Sequence, residues 1–142
     1  MYLLINTIVN DQIRLGLANR REVIDQQITV VGYRQAERLL SLLNKFLGGN
    51  NIEPSRLTGI IVLVGPGSFS SVRLGIVTAN TLGYTLGIPV AGLKFKDENV
   101  SLESLFEDGL SKLINKRGFN LVQPFYGREP NITKPKQKHY GK

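Results

Sequence analysis

The feature that most restricts the fold of this 142-residue chain is the apolar passage Gly59 to Val64 (GIIVLV) together with the glycine-rich stretch after it. Six apolar residues in a row suit a central strand buried on both faces, not a strand with one wet side. The run feeds directly into Gly65-Pro66-Gly67-Ser68-Phe69-Ser70-Ser71 and then into a helical pattern reaching Leu86. A buried strand, a glycine-rich turn and a helix in immediate succession are the core of an α/β unit.

The segments around this unit extend the plan. Tyr2 to Ile8 and Gln12 to Ala18 are apolar runs separated by the turn pair Asn10-Asp11. Asn19-Arg20-Arg21 turns the chain into Val23 to Val31, a third, β-branched strand. Tyr33 to Leu47 reads as a helix whose Ala36, Leu39, Leu40, Leu42, Leu43, Phe46 and Leu47 occupy an arc of about 160°. Covering one sheet face takes about 100°, so the surplus width points to a second contact. Gly48-Gly49-Asn50-Asn51 supplies residues that accept a left-handed helix end. Along the next helix, Ser71 to Leu86, Gly75, Ala79 and Gly83 recur every fourth residue. Each helical glycine costs about 1 kcal/mol relative to alanine, and close approach of another backbone is the expected compensation. Ile88 to Leu93 is a short strand, Lys94 to Val100 a polar linker, and Ser101 the cap of a third helix. Leu121 to Phe125 reads as one more short strand. The expected order is β-β-β-α-β-α-β-α, the plan of an RNase H-like lobe with helices on the faces of a mixed sheet.

Composition removes several chemistries. With no cysteine and one histidine (His139), the chain can build neither thiolate metal sites nor a cysteine nucleophile, and no core Ser–His–Asp triad. No apolar run approaches a membrane span, and the N-terminus lacks a signal-peptide pattern, so the expected compartment is the cytoplasm. A two-metal nuclease on this fold needs converging carboxylates, yet the first strand ends in the uncharged Asn6 and 59–64 carries none. The net charge is +7, and from Tyr126 onward five cations face one anion. The basic element is therefore the C-terminal tail. Arg128, Lys134, Lys136 and Lys138 are its candidates for touching a phosphate backbone.

The glycine loop has the form of an anion cradle but fits neither standard pattern. No lysine stands where a Walker loop needs one, and serine takes the place of the third glycine of a dinucleotide fingerprint. Gly65 and Gly67 would supply free φ, and Pro66 stiffness. A turn without a ligand reads equally well.

The string Gly65-Pro66-Gly67-Ser68-Phe69-Ser70-Ser71-Val72-Arg73-Leu74-Gly75 resembles the GPGSFTG-[LV]-R-[IL]-G signature of the TsaB (YeaZ-type) family. Gly87-Ile88-Pro89-Val90-Ala91-Gly92 is similar to that family's G-I-P-[VL]-x-G segment, and Asn6-Thr7 stands where it has Asp-Thr. Pro124-Phe125-Tyr126-Gly127-Arg128-Glu129-Pro130 resembles its closing P-x-Y-x-R-x-P. The resemblance implies an ASKHA-type fold and a subunit that does no chemistry, with no catalytic residue, metal or cofactor of its own. It implies a role in installing N6-threonylcarbamoyl on adenosine 37 of tRNA. The implied partners are a TsaD-type catalytic subunit, a TsaE-type ATPase and, indirectly or through the tail, tRNA. Pairing in that family uses the first two helices. The corresponding candidates are Ala36, Leu39, Leu40, Leu43 and Leu47 on the first, and Val72, Gly75, Ile76, Ala79 and Gly83 on the second, with a homodimer through the same patch in isolation. Gly65, Pro66, Gly67, Ser68, Phe69 and Arg73 form the loop motif. The expected division is a lobe over 1–93, a linker and helix left from a second lobe over 94–123, and a basic tail over 124–142. The alternatives are a small basic RNA-binding module on the same fold and a degenerate ASKHA ATPase.

Overall fold

A computed structural model of the chain describes residues 1–126. The elements run β1 (Tyr2–Asn6), β2 (Gln12–Ala18), β3 (Val23–Val30), α1 (Gln35–Gly49), β4 (Gly59–Gly65), α2 (Phe69–Leu86), β5 (Val90–Lys94) and α3 (Leu102–Leu113). A 3-10 turn, Pro54–Arg56, precedes β4. The order is the expected one, and the five strands form one mixed sheet ordered β3-β2-β1-β4-β5. β1, β2 and β3 meander antiparallel; β4 pairs parallel with both β1 and β5. This is the RNase H-like lobe.

Register assigns the faces. Leu3 and Ile5 of β1 lie beside Ile60 and Val62 of β4 and opposite Leu17 and Leu15 of β2. These residues point toward α1 and α2. Leu4, Ile61 and Gly16 point the other way, where α3 lies: a Cβ on Gly16 would meet Phe106 and Leu102, and one on Gly109 would meet Ile61. β4 is buried along its whole length because it is central and covered on both faces. α3 packs on β5, β4 and β3. The segment set apart from the lobe as 94–123 therefore supplies the helix that closes the lobe's own far face.

The turns follow their chemistry. Asp11 adopts φ 61 at the first hairpin, and the Asn19 side chain accepts the N–H groups of Arg21 and Glu22 at the second. α1 runs through both glycines, Gly48 and Gly49; the left-handed residue beyond it is Asn51, with φ 58. α2 begins two residues earlier than the sequence predicts, because Ser68 caps it by accepting the Ser71 N–H. Gly87 ends it at φ 68. Residues 121–125 form no strand. That stretch lies along α2 and β5, held by side chains: Asn120 accepts the Val90 N–H and donates to its carbonyl. Asn80 does the same for Val122.

Candidate partner-docking surface

The loop after β4 is fixed by its neighbours. Gly65 has φ 113, a conformation that L side chains rarely adopt, and the Gly65–Pro66 peptide is cis. The Gly65 carbonyl accepts the Phe95 N–H at 2.7 Å, and the Val64 carbonyl accepts the Phe125 N–H at 2.8 Å. Gly67 has a different reason to be glycine. Its φ is ordinary, but a Cβ there would lie 2.8 Å from Ile8 Cγ2. The Ser68 hydroxyl is committed to capping α2.

Phe69 opens α2, and its exposed ring stacks on Tyr126 with centroids 5.6 Å apart and planes 13° from parallel. The Arg73 guanidinium lies over the same ring, 4.8 Å from its centroid. Nearby, Lys94 Nζ sits 4.3 Å from the centre of the Phe125 ring. The loop motif thus assembles an aromatic and cationic cluster with the chain's returning segment.

Gln35, which sequence reasoning passed over, joins this region together. Its Nε2 donates to the Thr7 carbonyl (3.1 Å) and the Gln12 carbonyl (2.6 Å), and its Oε1 accepts the Ser71 hydroxyl (2.7 Å). Thr7 Oγ1 in turn donates to the Ser71 carbonyl at 2.6 Å. The first turn of α1, the end of β1, the start of β2 and the first turn of α2 are held by one amide. Nothing in the apolar periodicity marks this glutamine.

The expected interface residues divide sharply by burial. Leu39, Leu43 and Leu47 are buried in the protomer's own core with Leu42 and Phe46. Val72, Gly75, Ile76, Ala79 and Gly83 are buried likewise. The small residues bring α2 close to its own sheet: a Cβ on Gly75 would lie 2.7 Å from Thr7 Oγ1, and one on Gly83 would lie 2.5 Å from Val90. Close backbone approach was the right inference; the neighbour is β1, β4 and β5 rather than a partner. Of the expected α1 residues, only Ala36 and Leu40 are exposed.

The outward face of α2 carries a different set. Phe69, Arg73, Val77 and Tyr84 fall along one stripe at near-helical spacing. Phe69, Val77 and Tyr84 retain 59% to 74% of their full exposure, and Leu40 of α1 retains 63%. Tyr84 meets Phe119 edge-on at 5.7 Å, so the returning segment flanks the stripe at both ends.

On the α3 side of the sheet, a cavity of about 500 Å³ has Asn6 in its lining, with Arg14, Lys94, Lys96 and Lys112 set against Asp97, Glu98 and Asp108. Asn6 is buried and accepts the Ile8 N–H through Oδ1. Arg14 pairs with Glu98 at 3.8 Å, and Lys112 Nζ donates to the Gly92 carbonyl. Among the described residues, no group of three or more His, Asp or Glu is placed to hold a metal ion. No helix among them is long and apolar enough to cross a membrane. Arg128, Lys134, Lys136, Lys138 and His139 lie outside the described residues.

Residues 23–97 match the family model of TsaD, tRNA N6-adenosine threonylcarbamoyltransferase. The tRNA threonylcarbamoyladenosine biosynthesis protein TsaB of Bacillus subtilis (strain 168) is 34% identical over 97 residues, covering 67% of this chain and 40% of that protein. A tRNA N6-adenosine threonylcarbamoyltransferase of Geotalea uraniireducens (strain Rf4) is 25% identical over 71 residues, half of this chain and 21% of that one. YeaZ from Pseudomonas aeruginosa shares the fold, with TM-score 0.60 at 24% identity, over 66% of this chain and 43% of its own. The chain spans about two-fifths of the length of the TsaB it matches.

Proposed function

Because the chain belongs to the TsaD, tRNA N6-adenosine threonylcarbamoyltransferase, family, as a TsaB/YeaZ-type member, we propose that it is an accessory subunit of the machinery that makes threonylcarbamoyladenosine in tRNA. Its task is to bind a TsaD-type catalytic subunit and hold it in its working form; it performs no transfer itself. A TsaE-type ATPase joins the pair, and tRNA meets the assembly through the catalytic subunit or through the basic tail.

The observation that carries this reading is the outer stripe of α2. Phe69, Arg73, Val77 and Tyr84, with Leu40 on α1, leave aromatic, arginine and aliphatic groups in water on one layer of the lobe. Aromatic residues and arginine are the types enriched where interfaces derive most of their binding energy. The residues beneath them are buried and close-packed, so the stripe stands on a rigid base.

The deciding experiment is co-purification with the TsaD-type subunit of the same genome. The wild-type chain should form a complex at micromolar concentration. Val77→Arg sets a charge in the middle of the stripe and should weaken that complex at least tenfold, which corresponds to about 1.4 kcal/mol. Circular dichroism should stay unchanged, because Val77 is exposed. No complex, or equal binding by the variant, would refute the reading.

A further inference from the structure

α3 covers only part of its side of the sheet. It meets Gly16 of β2 through Leu102 and Phe106, Ile61 of β4 through Gly109, and Gly59 through Leu113. The ends where β1, β4 and β5 finish lie beyond it. There Arg14, Asn6, Leu63 and Leu93, one residue from each of four adjacent strands, form the floor of the cavity of about 500 Å³. α3 walls it with Ser104 and Leu105, and the 95–100 stretch walls it with Phe95 and Val100. The volume lies in the range of sites that hold small organic molecules.

Asn6 is the informative member of the floor. It is 4% exposed. Register sets it on the α3 side: it follows Leu4 by two positions and lies opposite Arg14, which precedes Gly16 by two. Its neighbour on β4 is Leu63, one step beyond the pair Ile5 and Val62. Asn6 Oδ1 accepts the Ile8 N–H at 2.9 Å. Among the described residues, Asn6 Nδ2 finds no acceptor, although buried side-chain amides are ordinarily paired at both ends. A buried donor left without a partner is costly, so an acceptor that enters the cavity gains a bond that the protein itself does not make.

The charges around the cavity are already engaged. Arg14 donates to Gln12 Oε1 and to the Glu98 carbonyl, and pairs with the Glu98 carboxylate. Lys112 Nζ donates to the Gly92 carbonyl. Lys94 Nζ lies over the Phe125 ring. Lys96, Asp97 and Asp108 are exposed. The floor therefore offers one neutral donor beside two buried leucines, Leu63 and Leu93. An anion seated there would exchange its hydration for a single amide bond, a poor trade. A carbonyl oxygen on an apolar body matches what the floor provides.

We propose that this cavity binds a neutral, largely apolar small molecule whose carbonyl oxygen accepts from Asn6 Nδ2 while its body lies against Leu63, Leu93 and Leu105. The site is on the opposite side of the sheet from α2, so it stands apart from the docking stripe.

Acetophenone, an aromatic ring bearing one carbonyl, is a suitable probe. In the isotope-labelled full chain, millimolar acetophenone should shift the Asn6 side-chain amide resonances together with the backbone amides of Leu63, Leu93 and Leu105. Asn6→Asp keeps the oxygen that Ile8 uses and exchanges only the unpaired donor for an acceptor. It should weaken acetophenone about tenfold. Val100→Trp fills the cavity from the loop, outside every strand and helix, and should abolish the shifts at Asn6 even if Asn6→Asp fails to fold. Lys96→Ala, which removes an exposed cation of the lining, should leave the affinity unchanged. Inorganic phosphate at the same concentration should leave the Asn6 resonances in place. No acetophenone shift at Asn6, equal affinity in folded Asn6→Asp, persistence of the shifts in Val100→Trp, weakening by Lys96→Ala, or a phosphate-induced shift at Asn6 would overturn the proposal.

Discussion

Asn80 on α2 and Val122 in the returning segment are bonded twice across forty-two positions: the amide donates to the Val122 carbonyl at 3.0 Å, and the amide oxygen accepts the Val122 N–H at 3.1 Å. One side chain satisfies both polar groups of a backbone unit, as a neighbouring strand would. Asn80→Leu should therefore cost more than the loss of an ordinary surface bond. We expect a destabilisation of about 1–3 kcal/mol in urea unfolding, since Val122 is left with two unpaired groups. Hydrogen exchange should rise at 119–126 before it rises in the sheet.

Gly83 carries a prediction of the opposite kind, from excess volume. Gly83→Leu would drive a side chain into Val90, Phe119 and the Ile88 carbonyl. Overpacking typically costs about 1–3 kcal/mol and can cost more where backbone is struck. A clear fall in thermal midpoint is expected. If the variant kept the wild-type midpoint and lost only partner binding, α2 would have to face a partner with its small residues.

Gln35→Ala tests whether one amide organises the loop region. It removes two donations and one acceptance, leaving the part-buried Ser71 hydroxyl without its acceptor. A loss of about 1–3 kcal/mol is expected by denaturant titration. Gln35→Glu, which keeps the acceptor but abolishes the donors, should recover only part of it.

Phe69→Ala separates folding from docking. Phe69 is exposed and contacts Tyr126 and Arg73, so stability should fall by about 1 kcal/mol or less. Binding to a TsaD-type subunit should fall by much more than that stability loss accounts for, as read by titration calorimetry.

The strand and helix order was legible because each element follows its own periodicity: six apolar residues for β4, alternation in β2, and a leucine arc for α1. The direction in which α2 faces was not legible. Gly75, Ala79 and Gly83 announce a close neighbour, but the pattern is the same whether that neighbour is a partner or the helix's own sheet. Thr7 and Val90 decide it, and their positions emerge only from the strand register. The strand expected over 121–125 failed for a related reason. Val122 and Phe125 pack against the core while Leu121 stays exposed, and the backbone is bonded in part by Asn80, a side chain that no local pattern links to it. Gln35 was invisible because its three partners come from three separate stretches of chain.

The arrangement at Val90 has a practical consequence for anyone dissecting the molecule. Asn120 is the plug that keeps the β5 border from being adhesive. A version cut short just after α3 would bare that border while leaving every strand and helix in place, and should clump in solution despite folding; a cut placed beyond Phe125 should not.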